Sequence, residues 1–453
     1  MPFIPHSEDD VRQMLERIGV ERIDQLFDEI PDNLKQVTLD GIPAGVNEMT
    51  VSRLMRERAA RDGRPLCYAG AGAYDHHVPS AIWQIVTRGE YYTAYTPYQA
   101  EASQGTLQLI YEYQSMMARL MDMEVSNASL YDGASALAEA VLMAVRLQRK
   151  AQSRRVLVPD SLHPAYRAVL QTIVGLQDIE LVSVPFDAQT GTTPLAQWER
   201  VAGDSVTAVV LPQPNYFGRL EDVSALTQWA HQRQALVIAV VHPILAALLQ
   251  PPGQWGERGA DIACGEGQPL GVPLSSGGPY FGFMTTRKSM VRQMPGRLCG
   301  RTTDLDGKVG YTLTLQAREQ HIRRGRANSN ICTNQGLVVA AATLYMALMG
   351  GEGLQRVAKA CLASASALKQ RLLSLPGVSP LFSAPGVHEF ALRLPLPAGD
   401  FIEAMAERGI LAGVDLGRDY PELGDALLVC ATESRIDTDH QQYAQAAREV
   451  LDD

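Results

Sequence analysis

The sequence predicts an α/β protein: a large domain on a mostly parallel sheet, N-terminal helices before it, and a small α+β domain after it. Three observations carry this expectation. Between residues 153 and 264, short apolar β-rich runs alternate with helical stretches, the pattern of βαβ units. The first 63 residues show helical patterning only. At Gly350-Gly351 a long apolar helix ends and a new helix–strand series starts. The expected domains are therefore residues 1–63, 64–349 and 350–453.

Each element has a local reason. Ser7 is placed to cap EDDVRQMLERIG, with Asp10 at the third helical position and Gly19 as the stop. ERIDQLFDEI makes a second short helix closed by Pro31, and VNEMTVSRLMRERAARDG a third. Gln99 to Met123 is a long amphipathic helix, and NASLYDGASALAEAVLMAVRLQRK reads as strand, turn and helix. RRVLVPD, IELVSVPF, VTAVVLPQPN and ALVIAVV are strands; PAYRAVLQTIVG and DVSALTQWAHQRQ are the helices between them. Ile262 to Cys264 begins another strand, which runs into GEGQPLGVPLSSGG and then an aromatic strand, PYFGF. Past Gly351 come a helix (Leu354 to Leu373), a Pro/Gly-rich loop, the strand EFALRLPL, the helix DFIEAMAERG, the strand ALLVCAT and a last helix.

Composition excludes several classes of function. The 453 residues carry a net charge of -10, so no basic excess is present to neutralise nucleic acid. No apolar run approaches the ~20 residues that span a bilayer. The N-terminus MPFIPHSEDD has neither a basic nor an apolar leader segment, which predicts a cytoplasmic protein without a membrane partner. The six cysteines form no CxxC pair, so a metal centre is not expected.

Chemistry is expected at the strand ends, where parallel sheets bind ligands. In order, these offer Asp132-Gly133-Ala134-Ser135 opening a helix, Pro214-Asn215, His242, and the segment holding Gln268-Pro269. A small-residue phosphate turn, a Pro-Asn strand end, an acid for a pyridine nitrogen and a lysine strand are the working parts of a fold-type I pyridoxal phosphate (PLP) enzyme. Here His242 stands where the acid is needed, and no lysine falls on the last strand. Lys35 and Lys150 lie in charged stretches, Lys288 follows Arg287 in a polar link, Lys308 follows a turn, and Lys359 and Lys369 belong to the C-terminal domain. Without an amine in place, the chain cannot hold PLP as a Schiff base. Two polar segments have no evident structural duty: GEYYTAYTPYQAEASQG (89–105) and REQHIRRGRANSNICTNQG (318–336). Such donors and basic groups suit phosphate or carboxylate ligands.

YTPYQAEASQGTLQLIYEYQ, GEGQPLGVPLSSGGPYFGF and REQHIR…SNICTNQ resemble the glycine decarboxylase (P-protein) family of the glycine cleavage system, and most closely the α subunits of its two-subunit form. The resemblance covers essentially the whole chain. It implies fold type I and an oxidoreductase subunit of an α2β2 heterotetramer, inactive without its β subunit. The β subunit would carry PLP. The pair would decarboxylate glycine, pass the aminomethyl group to the lipoyl arm of the H-protein and release CO2. Tyr95, Thr96, Ser329, Asn330 and Thr333 would contribute to the partner's site across the interface. Asp132, Gly133, Asn215, His242, Gln268 and Pro269 would mark a retired site, with Gln268-Pro269 near the place of the lost lysine. Gly277 and Gly278 would let this loop approach the partner closely. Where the family commonly reads HIRREKA, this chain has Gly325 and Arg326, which leaves the role of Arg326 open. Two other readings are a non-catalytic scaffold and a self-sufficient PLP enzyme that uses Lys288. A dinucleotide-binding protein is disfavoured, since no GxGxxG follows the first strands.

Overall fold

The computed structural model describes residues 6–35, 40–149, 153–275 and 277–452. Lys150 lies outside them. The chain divides into two units, Met1–Gly63 and Arg64–Asp453.

The first unit is helical. Its helix Glu8–Ile18 starts in a capping box: the Asp10 amide donates to Ser7 Oγ (3.2 Å), and the Ser7 amide donates to the Asp10 carboxylate (2.9 Å). Gly19 ends it with φ 90°, a left-handed position that glycine adopts without a Cβ penalty. The second predicted helix is a 3-10 turn, Ile23–Phe27. The Gln25 side chain accepts from the amides of Glu21 and Arg22 and so tightens its start. Helix Glu48–Arg61 is capped by Asn47. None of these helices has a buried residue, and Ile18, Phe27, Met49 and Met55 are exposed.

The larger unit is built on a seven-stranded sheet. Its strands are β1 (Val125–Ser126), β2 (Arg155–Pro159), β3 (Glu180–Val184), β4 (Ala208–Gln213), β5 (Leu236–Val241), β6 (Ile262–Glu266) and β7 (Gly282–Thr286). The order across the sheet is β1-β7-β6-β5-β4-β2-β3. Strands β2 to β6 pair in parallel, and β7 is antiparallel to both β6 and β1. Strand periodicity sends alternate residues of β4 to opposite faces: Val209 and Leu211 join one core cluster, Ala208 and Val210 the other. Both faces are covered, which is why these strands read as continuous apolar runs rather than alternating ones. Each Val or Leu buried there contributes on the order of 1.5–3 kcal/mol.

The long helix Gly336–Leu372 breaks at Gly350 (φ 59°, ψ -178°), where the sequence predicts one helix to end. It is long and apolar enough to cross a membrane, contrary to the reading that no such run exists, but half of the qualifying window is buried inside the fold. Val338, Ala341 and Tyr345 on it belong to the main core. An antiparallel hairpin, Leu298–Thr303 with Val309–Thr314, was not anticipated. Its turn places Gly307 at φ 82°, with Asp304 Oδ1 accepting from the amides of Asp306 and Lys308. Toward the C-terminus, a four-stranded antiparallel sheet includes Glu389–Arg393 and Ala426–Cys430. Phe390, Phe401 and Tyr443 pack in its core.

Candidate functional site

The carboxyl ends of β4, β5 and β6 meet at a cavity of about 80 Å³, far below the ~300 Å³ where small-molecule pockets begin. Its lining includes Tyr74, Tyr166, Asn215, His242, Glu266, Pro269 and Glu389. Most polar groups around it bond to the chain itself, although His242 Nε2 is buried without a hydrogen-bond partner. Asp132 caps helix Gly133–Leu147 by accepting from the Ser135 amide (2.7 Å). Asn215 Nδ2 donates to the Gly191 carbonyl and to Glu221 (both 2.7 Å), while its Oδ1 accepts from the amides of Phe217 and Arg219 (both 3.0 Å). The side chain of Gln268 accepts from the Tyr74 amide and donates to the carbonyls of Tyr74 and Val272. His242 packs among Tyr74, His76 and His388. Burial, then the two neighbouring histidines, hold its pKa well below the usual value, so the ring is neutral.

Two carboxylates at this cavity escape sequence reasoning. Glu266, the last residue of β6, accepts from the Gly133 amide (3.0 Å) through Oε2, and from the amides of Gln268 (3.0 Å) and Phe281 (3.2 Å) through Oε1. Glu389 accepts from the Ala71 amide (2.7 Å) and the Tyr74 hydroxyl (2.9 Å). Burial raises both pKa values to about 7. The only textual sign of Glu266 was an acid beside glycines at a strand end; Glu389 sits in an ordinary-looking strand.

Deeper in the fold, His76 Nδ1 lies 2.7 Å from Glu433, and the Cys361 thiol donates to the same carboxylate (3.1 Å). Burial opposes ionisation of Glu433, but the hydrogen bond and charge of His76 outweigh it and hold the carboxyl at about 2.

Lys288, Lys308, Lys359 and Lys369 stand away from the strand ends. Thr286 of β7 pairs with Ile262, the first residue of β6, so Lys288 lies beyond the opposite edge of the sheet. Lys308 sits at the hairpin turn, and Lys359 and Lys369 lie on helix Gly336–Leu372. None of these lines the cavity. The pocket therefore does not fit PLP: no lysine among the described residues lines it, and Glu266 holds the cradle that a phosphate would need.

A second cavity, about 190 Å³, brings the two polar segments together. Tyr95 and Thr96 line it from one segment, Thr333 and Asn334 from the other, and Arg297 between them. Tyr95 is 78% exposed. Ser329 and Asn330 are not part of the lining: Ser329 accepts from the Ile331 amide, and Asn330 is exposed. Arg297 is only 4% exposed. Its Nη1 donates to the Thr333 carbonyl (3.4 Å) and to Asn334 Oδ1 (3.3 Å), and its guanidinium lies over the Tyr98 ring, 5.5 Å from the centroid. Its Nε makes no hydrogen bond, with the nearest acid, Glu319, at 3.9 Å. Asn334 in turn donates to the Ala128 carbonyl and to Ser129 Oγ, fixing the loop to the sheet's edge. Arg297 was missed because no motif surrounds it; only the fold carries it to the two segments. Arg326, in the same basic stretch, is exposed. Gly277 and Gly278 have φ of 115° and 114°, so backbone conformation alone already calls for glycine there.

The family model described as "Glycine cleavage system P-protein" matches residues 1–442. A relative from Thioalkalivibrio sulfidiphilus, named "Probable glycine dehydrogenase (decarboxylating) subunit 1", is 60% identical over 451 residues, covering 100% of both chains. One of the same name from Nitrosomonas europaea is 59% identical, covering 100% of this chain and 99% of its own. A crystal structure of glycine decarboxylase (P-protein) of the glycine cleavage system, in inhibitor-bound form, matches with a TM-score of 0.89 at 42% identity over 100% of each chain. Glutamate decarboxylase of Lactobacillus brevis shares the fold at 12% identity, with a TM-score of 0.70, over 96% of this chain and 97% of its own.

Proposed function

The chain belongs to the glycine cleavage system P-protein family, and on that premise we propose that it is the α subunit of a glycine-decarboxylating oxidoreductase whose PLP sits on a β subunit. The observation that carries this reading is the contrast between a small strand-end pocket that no described lysine lines and a larger cavity where the exposed Tyr95 and the unpartnered Arg297 Nε meet Thr96 and Thr333. In the assembled α2β2 enzyme this second cavity faces the partner's cofactor. When bound there, PLP supplies an electron sink for the loss of CO2 from glycine. The aminomethyl group then passes to the lipoyl arm of the H-protein.

This chain's part is to bind, orient and exclude water. Tyr95 and Thr96 reach out to substrate or cofactor, and Thr333 offers a hydroxyl to the partner's phosphate. Arg297 holds the Thr333–Asn334 turn in place and adds a buried positive charge toward the incoming anions. Ser329 and Asn330 lie on the same stretch and contribute only if the partner's surface reaches past the cavity. The exposed apolar residues of the first unit, Ile18, Phe27, Met49 and Met55, suit burial against another subunit. Cytoplasmic assembly with the H-protein completes the reading.

Co-expression with the β subunit tests it. A stable complex should form, and glycine–bicarbonate exchange should require both chains. Exchange by this chain alone, with PLP trapped on one of its own lysines, would overturn the reading.

A further inference from the structure

The helix Gly133–Leu147 begins at the carboxyl ends of the strands, where its N-terminus and free amides would favour an anion. That start is tightly packed. A Cβ on Gly133 would stand 2.7 Å from the Glu266 amide nitrogen and would collide with the Tyr166 hydroxyl. The helix start is thus packed directly on the end of β6. What touches its first amide is the Glu266 carboxylate. The same carboxylate collects two further amides from separate turns, Gln268 and Phe281. Three backbone N–H groups from three segments converge on one anion, which is the arrangement of a phosphate-type receptor.

We infer that Glu266 is a built-in anion: its carboxylate occupies the receptor at the start of helix Gly133–Leu147 and closes this chain's own pocket to phosphate-bearing cofactors. The inference rests on the reading of this pocket as a retired cofactor site. The rest of the lining points the same way. Among the described residues no Lys or Arg lines the cavity, Glu389 adds a second acid, and His242 and His163 are both held toward the neutral form by burial. An incoming phosphate would meet two carboxyl groups and no cation. Glu266 itself ionises only near neutrality, since burial opposes its charge. The receptor therefore holds an anion without a compensating side chain, and any substitute would bind weakly but selectively.

The test uses the full-length chain and inorganic phosphate. Glu266→Ser vacates the receptor and keeps the backbone amides; Glu266→Gln keeps it filled. The serine variant should bind phosphate saturably in equilibrium dialysis, at least tenfold more tightly than wild type, and its unfolding midpoint should rise with phosphate. Wild type and Glu266→Gln should show neither response. Equal uptake by all three, or no uptake by a folded serine variant, would overturn the inference. If the serine variant does not fold, the wild-type chain decides. With glycine labelled by nitrogen-15, the Gly133 amide resonance should shift with pH as its acceptor ionises; a resonance flat with pH sinks the idea. Failure of the family-level function would appear elsewhere, as a wild-type pair without glycine–bicarbonate exchange.

Discussion

The pocket at the strand ends and the cavity beside Arg297 are built from the same kinds of residue, yet they differ in how far the chain itself satisfies them; each keeps one unpartnered buried nitrogen, His242 Nε2 and Arg297 Nε. At the pocket, Asn215 bonds to the chain through both side-chain atoms, as does Gln268 beside it, and Glu266 satisfies three amides. At the cavity, Tyr95 stands in solvent and Arg297 keeps an Nε without an acceptor. A polar group with internal partners adds to stability, because breaking its bonds strands buried donors and acceptors. A polar group without them costs stability, and its retention makes sense where a ligand or partner supplies the missing bond. The pocket should therefore answer to substitution in folding, and the cavity in activity of the assembled pair.

Arg297→Met should give the largest effect. Removing a preorganised donor at a reacting anion typically lowers turnover by 10²–10³-fold. The reconstituted pair should lose on the order of 100-fold in glycine–bicarbonate exchange, and Arg297→Lys should recover only part, since an ammonium lacks the planar guanidinium that lies over the Tyr98 ring. Exchange near wild type in the Met variant would remove the cavity from the mechanism.

The next effect belongs to the pocket and depends on pH. Glu266 has a folded pKa of about 7 against an ordinary value of 4.5. The folded state thus holds an extra proton between these values, and the stability this group contributes at low pH is lost as pH rises toward 7. Glu266→Gln has nothing to titrate. Relative to that variant, wild type should lose roughly 3 kcal/mol between pH 4.5 and 8, from about 1.4 kcal/mol per pKa unit. Urea unfolding of both chains at the two pH values measures the difference, and a constant gap would show that Glu266 does not change charge in the fold.

The legibility of the molecule follows the same division. Local signals read well: Ser7, Asp10 and Gly19 form the cap and stop their types suggest, and the apolar runs β2 to β6 are the strands expected. Tyr95, Thr96 and Thr333 could be singled out as polar residues with no local duty. Their meeting place could not, because Arg297 reaches Thr333 across 36 positions of sequence, through a hairpin whose partly exposed strands give no strong apolar alternation. Glu266 was hidden for a related reason. Its partners Gly133 and Phe281 are 133 and 15 positions away, and no pattern in a single segment announces a carboxylate that closes a distant helix.

Smaller effects follow on each side. Asn215→Ala removes four internal hydrogen bonds and leaves buried donors behind; it should destabilise the chain by about 2 kcal/mol, seen as a lower urea midpoint, with exchange per folded complex retained. Thr333→Ala and Tyr95→Phe should each lower exchange about tenfold, close to 1.4 kcal/mol, without dissociating the pair or shifting the urea midpoint of this chain. A Tyr95→Phe variant that is less stable but fully active would place that hydroxyl with the pocket's self-satisfied groups instead.

Gly277→Ala should give the smallest effect and separates two explanations of one residue. At φ 115° an alanine is strained, while no described residue beyond its chain neighbours lies within 4 Å of the added Cβ. Strain alone should cost about 1 kcal/mol in the isolated chain. Steric exclusion within the chain adds nothing, so any further loss must arise where another surface closes on the loop. If the glycine is there for close approach of the β subunit, the variant should weaken association of the pair beyond what the isolated chain loses in stability. Urea unfolding of the chain and a titration of the complex by sedimentation supply the two numbers. Association unchanged, with stability lower by about 1 kcal/mol, would assign Gly277 to the turn's backbone alone.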